Sequence, residues 1–203
     1  INCPADNQMN NSDFSQRSHH EVVVVGLGPT GATLANILAG YGLDVLVLER
    51  EESVYPLPRA VHFDDEAMRV FQSIGLAEGI GRDARVNVGT KFVDRDQKLL
   101  LDWPRAQEIG PLGWYPSYRF HQPDLEAELN RGIAVCNTVT LHRGASVTAV
   151  ADHGDVVEVS YSHDGAKQVV TADYAIGTDG AKSVVRAAMD CEWEDLGFQE
   201  RWL

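Results

Sequence analysis

Between Glu21 and Arg50 the apolar positions change period twice. Val22 to Val25 form an unbroken β-branched run, suited to a strand buried on both faces. Gly26, Gly28 and Gly31 follow, and then Leu34, Ile37 and Leu38 recur at helical spacing, with the small Ala35 where a helix would lie close to a sheet. Gly40 and Gly42 end that helix, expected over Thr30 to Ala39, and Leu43 to Leu48 make a second strand. Farther on, Ala67, Met68, Phe71 and Ile74 predict a helix from about Asp65, stopped by Gly75 and capped by Asp64 or Asp65. The acidic trio Asp64, Asp65 and Glu66 reads first as that cap and a solvated first turn. Residues 86–104 read as two strands about a turn near Asp94 to Gln97. The stretch 105–120 is irregular; its Trp114, Tyr115 and Tyr118 either line a ligand path or anchor a loop. Pro123 suits the first turn of a helix with Leu125 and Leu129 on its apolar face. Residues 146–176 alternate around Asp152 to Asp155 and His163 to Gly165, which predicts a three-stranded antiparallel meander.

The glycines give the opening its chemistry. In the order strand, glycines, helix, strand, the spacing G-x-G-x-x-G is a dinucleotide signature: Gly26 for the tight turn, Gly28 for close approach of a pyrophosphate, Gly31 for helix-on-strand packing. The diphosphate then meets free N–H groups at the helix N-terminus. Glu49 ends the second strand eighteen positions after Gly31, where a carboxylate accepts hydrogen bonds from an adenosine ribose and repels a 2′-phosphate. FAD or NAD, not NADP, is the expected occupant. After the meander, Tyr174 to Gly177 run into Thr178, Asp179 and Gly180, which form either a second anion-friendly turn or a capping turn.

Composition then narrows the classes. A 203-residue chain with 44% hydrophobic and 23% charged residues is long enough for one well-cored domain or for part of a larger one. Its formal charge of −13 opposes nucleic-acid and anionic-membrane partners. Residues 1–20 are polar, lack a signal-peptide core and read as a disordered tail, His19 and His20 included. Cys3, Cys136 and Cys191 have no metal-binding spacing and read as thiols of a reducing compartment. No metal site is expected, no stretch is long and apolar enough to span a bilayer, and the location expected is cytoplasmic.

Several motifs together resemble one family. Gly26, Leu27, Gly28, Pro29, Thr30 and Gly31 are followed by Glu49 and Arg50, by Pro58, Arg59 and Ala60, and by Phe63 to Glu66. His121, Gln122 and Pro123 come next, then Thr178 to Ala181 with Ser183 and Arg186. In order and spacing these resemble the class A flavoprotein aromatic hydroxylases of the para-hydroxybenzoate hydroxylase type, and within them the 3-(3-hydroxyphenyl)propionate hydroxylase branch, over about residues 21–203. The fold implied is a Rossmann-like α/β FAD-binding domain with an antiparallel meander and only the beginning of a substrate domain, to whose sheet 86–104 and 196–203 would belong. The family's third, Gly-Asp-Ala-type motif is missing, so the expectation is an N-terminal fragment, inactive alone, whose hairpin exposes an apolar face prone to association. A homo-oligomer is one outcome of such association.

The resemblance implies roles for individual positions. Gly26, Gly28, Pro29, Thr30 and Gly31 would hold the FAD pyrophosphate, Glu49 the ribose, and Arg50 the surroundings of the adenosine. Arg59 would sit by the diphosphate and the NAD(P)H approach, the alternative being a surface ion pair. Gln122 would contact the flavin side, and Asp179 with Gly180 would serve FAD and NAD(P)H. His62 is a candidate to take a phenolic proton, or else a packing histidine. The activity implied is hydroxylation of a phenolic substrate with NAD(P)H and O₂ through a flavin C4a-hydroperoxide. The alternatives are an NAD-dependent dehydrogenase and a non-catalytic FAD- or nucleotide-binding module, with a halogenase or a reductase of the same FAD fold as further variants.

Overall fold

The computed structural model describes residues 18–57 and 59–199. It opens as the pattern predicts: strand β1 (His19–Val25), helix α1 (Pro29–Gly40) and strand β2 (Val45–Glu49). A short strand β3 (His62–Asp64) leads into α2 (Asp65–Ser73), α3 (Ala77–Asp83) and β4 (Arg85–Val86). The hairpin β5 (Gly89–Val93) and β6 (Leu99–Pro104) precedes β7 (Ser117–Arg119) and α4 (Gln122–Ala134). Strands β8 (Val139–Arg143), β9 (Ser146–Asp152), β10 (Val157–His163) and β11 (Ala166–Gly177) and the short α5 (Val184–Ala188) complete the order.

The main sheet runs β8-β2-β1-β11-β10-β9. The first three strands and the second half of β11 are parallel, while β9, β10 and the first half of β11 form the expected antiparallel meander. One twelve-residue strand therefore carries the meander directly into the parallel sheet. The unbroken apolar run of β1 follows from burial on both faces. Val22 and Val24 pack with Val45, Val47, Met68 and Leu129 on the helical side, whereas Val23 and Val25 pack with Leu46, Leu48, Val159 and Tyr161 on the meander side.

Two expectations are corrected here. The tail does not reach residue 20: His19 and His20 belong to β1, paired with Thr171 and Ala172 of the long β11. His20 is only 2% exposed, and its Nδ1 lies 3.2 Å from Asp44 Oδ1. Residues 1–17 lie outside the described residues, as do 200–203, and Leu196 to Gln199 form no strand. In α1 the large residues are not the sheet-facing ones. Ala32, Ala35 and Ala39 are fully buried, while Leu34, Ile37 and Leu38 are half-buried. A Cβ on Gly31 would collide with the Gly26 carbonyl oxygen, and a helix that close admits only small side chains against the strands. The buried Asn36 donates from Nδ2 to the Ala32 and Leu129 carbonyls (2.8 and 2.9 Å), which ties α1 to α4.

Asp64 caps α2, with Oδ1 accepting from the Ala67 N–H at 3.0 Å. The irregular stretch before β7 is anchored: Trp114 Nε1 donates to Gln72 Oε1, and the Tyr118 hydroxyl accepts from the Tyr115 N–H. Strands β3, β7 and β4 make a small second sheet on which Phe63 stacks against Tyr118. The hairpin β5–β6 is a separate two-stranded sheet, its turn closed by Asp94 Oδ1 accepting from the N–H groups of Asp96 and Lys98. Every residue of β6 is exposed, including Leu99, Leu101 and Trp103.

Candidate dinucleotide site

The parallel strands deliver their C-terminal ends to one place. Val25 and Gly177 are register partners in β1 and β11, and Val25 pairs with Leu48 of β2 on the other side, so the loops that follow the three strands converge. Gly26 turns the chain off β1 with φ +97°, a conformation open to glycine, and an added Cβ would lie 2.7 Å from the Thr178 carbonyl oxygen. Thr178 holds the turn from the other side: its N–H donates to the Val25 carbonyl at 2.8 Å, and its hydroxyl lies 2.9 and 2.8 Å from the carbonyl oxygens of Val25 and Gly26. The glycine loop is thus fixed before any ligand arrives.

Gly28 differs in kind. Its backbone is extended and serves as N-cap of α1, with no side chain capping the helix and no acidic residue in the first turn. A Cβ there would meet nothing within 4 Å; it would project into open space. Pro29 occupies the first turn, and Thr30 beside it is exposed. The uncapped N–H groups and the positive end of the helix dipole therefore face a void that a side chain would fill. An anionic diphosphate fits this cradle by both shape and charge.

That void is a cavity of about 400 Å³, within the size range of cofactor sites. Gly26, Gly28, Glu49, Arg50, Arg59, Asp179 and Gly180 all line it. Glu49 bridges its two rims: Oε2 accepts from the Leu27 N–H at 2.6 Å and Oε1 from the Glu51 N–H at 2.8 Å. Each oxygen keeps a further lone pair for a ribose hydroxyl. Asp179 is held in the same manner, accepting from the Ser183 hydroxyl at 2.6 Å and the Val184 N–H at 2.7 Å, so the turn after β11 has the capping role and also faces the cavity. Arg50 and Arg59 supply positive charge, and Arg59 lies over the Tyr55 ring at 5.1 Å.

Five expected residues are not in the lining: Pro29, Thr30 and Gly31, which form the first turn of α1, and Gln122 and His62. Gln122 is buried, and its Oε1 accepts from the N–H groups of Arg59 (3.1 Å) and Ala60 (2.8 Å), so it touches the backbone that carries Arg59. His62 is exposed on β3, with Nε2 2.8 Å from the buried Ser117 hydroxyl. Conversely, Tyr55, Ala145, Ser146, Val147 and Lys182 line the cavity without having been singled out. Lys182 sits two residues beyond Gly180 and was readable as part of that turn; Ser146 and Val147 reach the site only because β9 starts beside the end of β2, a contact without local signal. Among the described residues no group of three His, Cys, Asp or Glu is placed to hold a metal, and no helix is long and apolar enough to cross a membrane.

Fold and cavity together define a dinucleotide-binding domain of the βαβ type, with the meander as its added layer. The chain belongs to the FAD binding domain family, whose model matches residues 19–202. It is 40% identical over 185 residues to a probable NADH-specific resorcinol 4-hydroxylase of Rhodococcus jostii (strain RHA1), covering 90% of this chain and 35% of that protein. To a 3-(3-hydroxy-phenyl)propionate/3-hydroxycinnamic acid hydroxylase of Mycolicibacterium smegmatis it is 36% identical, covering 90% of this chain and 32% of the relative. The crystal structure of p-nitrophenol 4-monooxygenase PnpA from Pseudomonas putida superposes with a TM-score of 0.79 at 25% identity, over 85% of this chain and 44% of that one. The chain spans about a third of the length of the curated relatives it matches.

Proposed function

We propose that this chain is the cofactor half of an FAD-dependent monooxygenase that hydroxylates a phenolic ring with NAD(P)H and O₂. The observation that carries the reading is the Gly28 cradle: an uncapped helix start facing open space, rimmed by Glu49 and Arg59. The ring chemistry is supported by the relatives, whose names specify resorcinol, hydroxyphenylpropionate and nitrophenol as substrates. Overall, a phenol, O₂, NAD(P)H and a proton would give the ring-hydroxylated product, NAD(P)⁺ and water.

When bound, the flavin supplies O₂ activation and hydride acceptance. This chain's residues bind and orient it. The N–H groups at the start of α1 and the Arg59 guanidinium would hold the diphosphate, Glu49 the ribose, and Leu48, Ala145 and Val147 the apolar contact for the adenine. Asp179 and Gly180 would shape the far wall. His62 stands outside the lining, with Nε2 already engaged by Ser117, so a proton-accepting role for it would require a substrate approaching its Nδ1 side.

The hairpin belongs to the same proposal. Residues 86–104 would join a second sheet supplied by the rest of a longer protein; the exposed Phe92, Leu99, Leu101 and Trp103 support this. A cytoplasmic location accompanies the reading, since the cofactor couple and small phenols are metabolites of that compartment. The test is NADH and NADPH oxidation by the full-length flavoprotein, with and without resorcinol, 3-(3-hydroxyphenyl)propionate and p-nitrophenol. Substrate-stimulated oxidation with a hydroxylated product is expected. FAD binding without stimulation by any phenol would support the non-catalytic module instead.

A further inference from the structure

A buried carboxylate stands next to the cavity without lining it. Glu126, on α4, is 4% exposed. Its Oε1 accepts from Gln122 Nε2 at 2.6 Å and lies 3.9 Å from Nη2 of Arg59. Gln122, one helical turn earlier, is itself buried, and its Oε1 accepts from the N–H groups of both Arg59 and Ala60. Only one orientation of the Gln122 amide serves all these partners, oxygen toward the two backbone donors and NH₂ toward the carboxylate. Glu126 therefore fixes the amide, the amide fixes the 59–60 backbone, and the same carboxylate draws the Arg59 guanidinium from behind. Arg59 is itself largely exposed and lines the dinucleotide cavity.

We propose that Glu126 is a positioning residue of the dinucleotide site, setting both the backbone and the guanidinium direction of Arg59 so that the charge is presented to the cofactor's diphosphate. The inference rests on the cavity being the FAD site. Removing the carboxylate leaves Gln122 Nε2 buried without its acceptor, which favours rotation of the amide and releases the 59–60 backbone. Replacing it by an amide keeps an acceptor for Nε2 and removes only the charge seen by Arg59. The two contributions can thus be separated.

The experiment is FAD titration of the full-length apoprotein, followed by quenching of flavin fluorescence, for wild type, Glu126→Gln, Glu126→Leu, Arg59→Met and the double variant Arg59→Met with Glu126→Gln. Glu126→Leu is expected to raise the FAD Kd at least tenfold and Glu126→Gln about threefold. In the Arg59→Met background, Glu126→Gln is expected to change nothing, because the charge acts only through Arg59. An unchanged Kd in Glu126→Leu, or the same threefold change with and without Arg59, would overturn the proposal. If Glu126→Leu fails to fold, the nearly isosteric Glu126→Gln, alone and with Arg59→Met, decides the matter. Wild-type apoprotein that takes up no FAD would overturn the cavity assignment itself; wild-type binding with indifferent Glu126 variants would overturn the positioning role alone.

Discussion

The dinucleotide cavity and the β5–β6 hairpin are built on opposite principles. At the cavity the supporting turns are held inside the chain: the glycine turn is held by Thr178, Glu49 and Asp179 have backbone donors, and the strands below are buried on both faces. The hairpin has its ladder and its turn, but Phe92, Leu99, Leu101 and Trp103 remain in solvent. Sheets that bury neither face are weakly stable. The cavity region is thus a finished piece of folding, and the hairpin is a finished piece of backbone with its side-chain packing unfulfilled.

The sharpest way to break the comparison is at Gly28. The Cβ that Gly28→Val adds meets no protein atom within 4 Å, so far-UV circular dichroism and thermal melting should stay close to wild type, while FAD affinity falls more than about 100-fold because the side chain occupies the diphosphate cradle. Next in size is the contrast between apolar truncations. Leu46→Ala, at a site 1% exposed, should cost about 2–5 kcal/mol in chemical denaturation, whereas Leu101→Ala on the exposed hairpin should stay within about 0.5 kcal/mol. A large effect at Leu101 would show that the hairpin is packed after all. Glu49→Ala should weaken FAD binding by about 1–3 kcal/mol, measured by the same fluorescence titration.

The smallest effect concerns the meander. His142 of β8 stacks on His163 of β10, with ring centroids 4.8 Å apart and planes 7° from parallel. Burial pushes the His142 imidazole below its ordinary value near 6.5; His163 and His20 push the same way, against a weaker opposing pull from Asp164. A folded value depressed below the unfolded one means that the unfolded chain takes up the proton first. The stability from neutral His142 is therefore complete above about 6.5 and declines as pH falls below that value. Melting temperatures of wild type and His142→Phe, compared at pH 7.5 and 5.5, should show a smaller acid loss in the variant.

How legible each region was depends on how local its cause is. The βαβ opening lies within thirty residues and its elements are legible in order, and the meander is legible from its turn residues. Strand β8 escaped notice because its only reason to be a strand is pairing with β2, far away in the chain. Helix α3 escaped because Gly79 and Gly81 argue against a helix; in the fold Gly79 faces the Glu128 side chain of α4, a contact between helices that the local sequence does not show. Likewise Gln122 was placed correctly on its helix, but its role toward Arg59 depends on a contact 63 residues apart. In each case the missing information was tertiary.

We propose FAD as the occupant of the Gly28 cavity. The most direct test is the visible absorption spectrum of the full-length protein, as purified and after incubation with FAD, with the released cofactor identified by mass. A flavin spectrum and the mass of FAD are expected. A protein that stays colourless after incubation, or that releases NAD, would contradict the proposal.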